Sequence, residues 1–238
     1  CVFFFVYRKK TIALFLLVAT AFIFRILMAQ LDPFLHAWDE QYHALVAKNM
    51  VEHPFKPMLY ADPVLDYNYQ HWWGNHIWVH KQPVPLWQIA LSFKIFGVSE
   101  LSLRLPTIIM STLLVLVVFR IGKVTMNENT GFLAALICTL NCYQLEYCAG
   151  NKGMDHVDTT FLFYVTLSIW AWVELQRSGK QKWLIWIGVF AGMAVLARWL
   201  VGLLVFAGWG MCILANKNTR TKITSYLPLI KSVGITVL

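Results

Sequence analysis

Two carboxylates stand side by side at Asp39 and Glu40, and two more, Asp155 and Asp158, flank His156 much later in the chain. A carboxylate held beside a hydroxyl can serve as a general base. Acids in a first helical turn also complement the helix dipole with no chemistry at all, and capping alone accounts for one of the first pair. Between these groups lies His80-Lys81-Gln82-Pro83-Val84-Pro85, where two prolines force an extended approach to the following helix. They aim Lys81 at the water–lipid boundary, where a lipid phosphate would sit and where an ammonium acts as a point-charge phosphate binder. The plain alternative is a lysine snorkelling at an interface. Arg198 either binds the same phosphate or pairs with a carboxylate, and Arg25 reads as a snorkelling or internally paired cation.

All seven histidines (His36, His43, His53, His71, His76, His80, His156) fall in two stretches, 31–81 and 150–158. So do eight of the twelve acidic residues: Asp32, Asp39, Glu40, Glu52, Asp62, Asp66, Asp155 and Asp158. A polar surface would sort them this way without catalysis. Their position beside apolar runs says more, because carboxylates at a membrane boundary are costly unless paired or hydrated. Trp38 is an interface anchor or a sugar platform. Trp72, Trp73, Trp78, Tyr60, Tyr67 and Tyr69 enrich the first stretch in aromatics, as a membrane belt also would. No HExxH or CxxC spacing is present. Asp155-His156-x-Asp158 with Glu40 and His80 would make a mixed oxygen–nitrogen metal site that spacing alone does not select. GxxxxGK[ST], GxGxxG and GxSxG are absent, so nucleotide-driven transport and serine hydrolysis have no support.

The elements that must position these groups are membrane helices. Apolar residues make up 58% of the chain, charged ones only 13%, and mean hydropathy is +0.58. Both shares depart from a soluble domain far enough to exclude a cytosolic globule, a disordered chain and a disulfide-stapled secreted module. The five cysteines form no CxxC pair and read as packing residues. Apolar runs at 11–29, 101–119, 131–149, 159–175, 183–197 and 199–215, with the start of a seventh at 226–238, are each near the roughly 20 residues needed to cross a bilayer. All must be helical, since lipid leaves an open backbone unsatisfied. The pair around Arg198 is a tight hairpin or a broken helix.

The net charge of +8 comes from basic clusters at Arg8-Lys9-Lys10, Arg120/Lys123, Arg177/Lys180/Lys182 and Lys217/Arg220/Lys222. Placing all four in the cytoplasm satisfies the positive-inside tendency, and nucleic acid is not needed to explain the excess. The region 31–100 then becomes a first external loop, with 84–97 as an amphipathic helix in the interface, and 150–158 becomes a second. The expected class is an all-α polytopic membrane helix bundle over 1–238, with loop helices lying along the membrane surface. The sequence opens on Cys1 and stops at Leu238 inside an apolar run, and so reads as part of a longer chain; with no signal-peptide cleavage site visible, the first apolar segment is expected to stay in the protein.

In order and spacing, five segments resemble the amino-terminal half of GT-C glycosyltransferases of the protein O-mannosyltransferase and lipid A aminoarabinose transferase type. They are Trp38–Tyr42, His80–Pro83, Phe96–Pro106, Met154–Asp158 and Gly188–Arg198. The resemblance implies a polyprenyl-phosphate-linked sugar donor, a lipid, glycan or protein acceptor, and an external active site in a multi-pass protein of the bacterial inner membrane. It implies that Asp39 matches the catalytic aspartate and that Lys81 matches the lysine near the donor phosphate, for which His80 and Arg198 are further candidates. Glu40, Asp155, His156 and Asp158 then shape the acceptor side. Gln82 departs from the family's Lys-Pro-Pro pattern, and Arg198 stands where relatives often have Thr-Lys-Gly.

Polyprenyl phosphate is a good leaving group, so one base and one cation suffice for an inverting displacement, whereas glycosidases generally use two carboxyl groups. The partners expected are that donor, an acceptor and membrane lipids. No organic cofactor is expected, and a divalent metal is left open. The rivals are a non-catalytic carrier of lipid-linked sugar and a structural membrane subunit. A carrier calls for titratable groups at mid-membrane depth, where Arg25 and Glu146 are the candidates.

Overall fold

The structure is a computed structural model that describes residues 1–6, 9–68, 70–71, 75–151 and 155–237. Arg8, Tyr69, Trp72, Trp73, Met154 and the side chain of Asp155 lie outside the described residues. The helices in chain order are α1 (Val2–Val6), α2 (Lys10–Leu31), α3 (Asp39–Met50), α4 (Pro83–Phe96), α5 (Glu100–Thr125), α6 (Glu128–Thr139), α7 (Cys142–Cys148), α8 (Asp155–Ser178), α9 (Lys182–Arg198), α10 (Leu204–Ala215) and α11 (Leu227–Val237). Among the described residues the one β feature is an isolated antiparallel bridge, Met58 with Ile77. Among the described residues, three stretches are long and apolar enough to cross a membrane: Lys10–Leu31, Glu100–Thr125 and Lys182–Ala215. The fold is an all-α polytopic membrane bundle.

The chain divides into two compact units, residues 1–113 with 138–160 and residues 114–137 with 161–238, so that α5, α6 and α8 contribute to both. The first unit has its own core. Val46, Ala47 and Met50 of α3 pack with Leu86, Ile89, Ala90 and Phe93 of α4, together with Leu59, Trp78 and Leu103. Spacings of three and four put each set on one helix face. The strand-like crossing between them is tied by Leu59 N–H to His76 O (2.9 Å) and Trp78 N–H to Pro57 O (2.8 Å). Asn49 adds side-chain N–H bonds to Met58 O (2.8 Å) and Leu59 O (3.2 Å). The helix at 84–97 therefore buries one face in protein, while Leu91, Ile95 and Phe96 stay exposed. Arg25, inside α2, is paired internally: it donates to Ser111 Oγ (2.9 Å), Ala21 O (3.1 Å) and Cys138 O (3.3 Å).

The apolar run at 131–149 is two helices rather than one. Asn141 interrupts it, accepting the N–H of Gln144 (3.2 Å) and so capping α7. In the second unit, the pair around Arg198 is a hairpin. The backbone breaks at Trp199 (φ +60°), and a Cβ on Gly202 would run into the backbone of Ala194 and Val195. α11 runs parallel to α9, with Ser232 Oγ–H donating to Leu184 O (2.6 Å) and Thr236 Oγ1–H to Gly188 O (3.1 Å). Gly188 makes that approach close, because a Cβ there would meet Ile235 at 2.7 Å. Arg120 pairs with Glu174, which also accepts from Trp170 Nε1 (3.3 Å).

Candidate active site

Asp39 and Glu40 open α3 behind Trp38, whose φ of +73° is unusual for a residue with a side chain. Successive helical residues point about 100° apart, and this separates the two acids. Asp39 turns outward to Lys81, Oδ1 to Nζ 3.5 Å, with the side chains 23% and 8% exposed. Lys81 is held there because Gln82 is extended and Pro83 starts α4 at its first turn, where a missing N–H costs nothing.

Glu40 turns inward and is 1% exposed. Its Oε1 accepts from Arg104 Nε (2.7 Å), and its Oε2 accepts from Arg104 Nη2 (3.0 Å) and from His36 N–H (2.7 Å). Arg104, wholly buried, also donates to Ala29 O (2.8 Å), Asp32 O and Phe34 O (2.9 Å). All five guanidinium N–H groups are thus used. The three carbonyls lie at and just beyond the end of α2, where helix carbonyls lack partners and a cation is favoured.

The second loop comes onto this ion pair through Gly150 (φ +73°). A Cβ there would lie 2.7 Å from Glu40 Oε1 and 2.8 Å from Arg104 Nη2. Beyond it, the first turn of α8 carries His156, whose Nδ1 is 3.0 Å from Thr107 Oγ1 and whose Nε2 is 4.0 Å from Glu40 Oε1. Burial, with His43 and Arg104 nearby, drives the His156 pKa well below the usual imidazole value. The imidazole is therefore neutral, and the 4.0 Å approach is a polar contact rather than an ion pair.

His43, one turn after Asp39, packs edge-on against His156 (ring centroids 5.7 Å) and Trp78 (5.9 Å). It is fully buried, and neither ring nitrogen has a hydrogen-bond partner. Burial lowers its pKa to about 4, Asp39 opposing and Lys81 and His80 assisting. His80, at the surface beside Trp78 (5.8 Å), is lowered by burial and by Lys81.

The first unit therefore brings together Asp39, Glu40, His80, Lys81 and His156. Asp158 lies on the same turn of α8 as His156 and accepts from Tyr147 Oη–H (3.2 Å). Arg198 belongs to the second unit, where its guanidinium lies 6.0 Å from the centre of the Phe161 ring. Lys81 lines a cavity of about 310 Å³ whose walls include Phe55, Pro57, Leu86 and Trp87. A second cavity of about 320 Å³ shares Met50, Pro54, Phe55 and Trp87 with it and reaches Leu91 and Lys94. Trp87 is fixed there by its Nε1–H bond to Pro54 O (2.6 Å). Among the described residues, no three His, Cys, Asp or Glu side chains cluster closely enough to hold a metal ion.

Two members were not singled out from sequence. Arg104 carried a signal, an ionisable residue near the start of an apolar helix. His43 lies on the face of Val46, Ala47 and Met50, a spacing that marks it as buried.

The family model described as dolichyl-phosphate-mannose-protein mannosyltransferase matches residues 80–238. The chain belongs to this family. The match begins at His80, so Asp39 and Glu40 precede it. An undecaprenyl phosphate-alpha-4-amino-4-deoxy-L-arabinose arabinosyl transferase of Pseudomonas aeruginosa is 30% identical over 116 residues, 47% of this chain and 21% of the relative. ArnT from Cupriavidus metallidurans in the apo state shares the fold with a TM-score of 0.71 at 17% identity, covering 96% of this chain and 41% of that one. The archaeal oligosaccharyltransferase AglB from Archaeoglobus fulgidus, solved with an inhibitory peptide and a dolichol-phosphate, does so with a TM-score of 0.62 at 16% identity, over 95% and 29%. The chain spans less than half the length of each of these relatives.

Proposed function

We propose that this chain is the site-bearing portion of a membrane glycosyltransferase that moves a sugar from a polyprenyl-phosphate donor to a lipid, glycan or protein acceptor. The observation that carries the reading is the Asp39–Lys81 pair, a carboxylate and an ammonium 3.5 Å apart beside a cavity with largely apolar walls. In the reaction, Lys81 faces the donor phosphate. An acceptor oxygen attacks the anomeric carbon from the side opposite the phosphate, and its proton passes to Asp39. The bond from sugar carbon to phosphate oxygen breaks, and the electron pair leaves on polyprenyl phosphate. One displacement of this kind inverts the anomeric centre. No acid is needed, because the leaving phosphate is already a stable anion and a nearby cation offsets its charge.

Glu40 acts by position in this scheme, since its carboxylate is taken up by Arg104 and His36. His156 and Asp158 border the acceptor side, and Asp155 begins the same helix. His80 flanks the phosphate as a neutral donor or acceptor of hydrogen bonds. The two neighbouring cavities along α4 suit an isoprenoid chain, being lined by Pro54, Phe55, Trp87 and Leu91. The site faces the extracytoplasmic side of a bacterial inner membrane, with the basic turns inside.

The test is Asp39→Asn in the full-length protein, assayed with labelled polyprenyl-phosphate sugar and acceptor. Transfer should fall by at least about a hundredfold, the usual worth of a general base, with expression unchanged. Transfer retained at near the wild-type rate would remove Asp39 from the role.

A further inference from the structure

We propose that the Asp39–Lys81 ion pair is a latch opened by the donor phosphate, so that the donor must bind before the acceptor can be deprotonated. This rests on the donor reading above and adds an order of events to it.

The charges around the pair impose that order. Asp39 and Lys81 neutralise each other at 3.5 Å, with Lys81 nearly buried and its approach set by Pro83. The groups facing them add nothing. Glu40 and Arg104 form a closed neutral pair on the inner side of α3. His43 on the same helix and His80 on the adjoining segment both have lowered pKa values and are neutral near pH 7. Among these groups the charges cancel before the donor arrives.

While the latch is closed, the carboxylate oxygen nearest Lys81 is occupied, and an acceptor hydroxyl has a poor partner in it. A phosphodiester adds one negative charge and competes for the ammonium. Asp39 then loses its counter-ion and faces an excess of negative charge, which is removed when it takes the acceptor's proton. Donor arrival thus both frees the base and favours the protonation that the reaction demands. The same device keeps Asp39 from activating water or acceptor in an enzyme without donor.

The experiment measures undecaprenyl phosphate binding to the full-length protein in detergent, for wild type, Asp39→Asn, Asp39→Glu and Lys81→Ala. Asp39→Asn should bind about three- to tenfold more tightly, the range that corresponds to releasing one partly shielded ion pair. Asp39→Glu keeps the charge and should stay near wild type. Lys81→Ala should bind more weakly. Equal affinity of wild type and Asp39→Asn, with Lys81→Ala still weakened, would overturn the latch and leave the donor reading standing. Wild type that fails to bind undecaprenyl phosphate, or Lys81→Ala that binds as well as wild type, would overturn both. Productive acceptor binding ahead of donor in order-of-addition kinetics would also overturn the latch.

Discussion

Cutting the Glu40–Arg104 pair should loosen the junction of α2 and α3 by a calculable amount. Both side chains are buried, and removing one partner of such a pair costs about 3–5 kcal/mol because an uncompensated charge remains. Glu40→Ala leaves Arg104 bonded to three carbonyls and should fall in that range. Arg104→Ala is worse. It strands the Glu40 carboxylate with His36 N–H alone and removes the donor from the carbonyls of Ala29, Asp32 and Phe34. Each deprived buried carbonyl adds about 1–3 kcal/mol before relaxation or water entry. The double variant removes charge and counter-charge together, so its cost should be less than the sum by about 2 kcal/mol or more.

Native-state hydrogen exchange of the full-length protein in nanodiscs reads this locally. At about 1.4 kcal/mol per tenfold, amides in the last turn of α2 and the first two turns of α3 should exchange at least about a hundredfold faster in either single variant. Amides of α9 and α11 should be unchanged. Acceleration of under about threefold, or strictly additive effects in the double variant, would refute the view that this pair holds Asp39 in place.

Two further outcomes follow from the same cluster. His43 is neutral in the folded chain, with a pKa near 4 against 6.5 unfolded. The unfolded state therefore binds more protons between those values, and stability present above pH 6.5 is lost as the pH falls toward 4. At 1.36 kcal/mol per unit the loss is about 3 kcal/mol. Thermal unfolding from pH 7 to 4 should be visibly flatter in His43→Leu, and an unchanged slope would contradict its burial as a neutral base. Gly150→Ala must bear a positive φ and a Cβ pressed on the Glu40–Arg104 pair. It should cost about 1–3 kcal/mol or more and accelerate exchange at the α2–α3 junction, whereas wild-type exchange there would show that the loop does not rest on the pair.

The all-helical class was legible because bilayer thickness and backbone satisfaction leave few options for an apolar run. The exceptions are instructive. The break at Asn141 depends on one side chain accepting the Gln144 N–H, a local competition that hydropathy averages over. The hairpin at Arg198 was left open between two readings, and the fit of Gly202 against Ala194 and Val195 resolves it. In the site, Asp39 and Lys81 stood out by type and surroundings. Arg104 and His43 did not, because their importance lies in what they touch.

Residue types and their order along the chain determined that this is a helical membrane protein carrying its histidines and most of its carboxylates in two stretches, since those properties follow from burial costs that act on each segment separately. Which of two adjacent carboxylates faces a lysine and which disappears into an arginine was decided only by tertiary structure. Glu40 and Arg104 are 64 residues apart, and nothing local distinguishes Asp39 from its neighbour until α5 and Gly150 close over one of them.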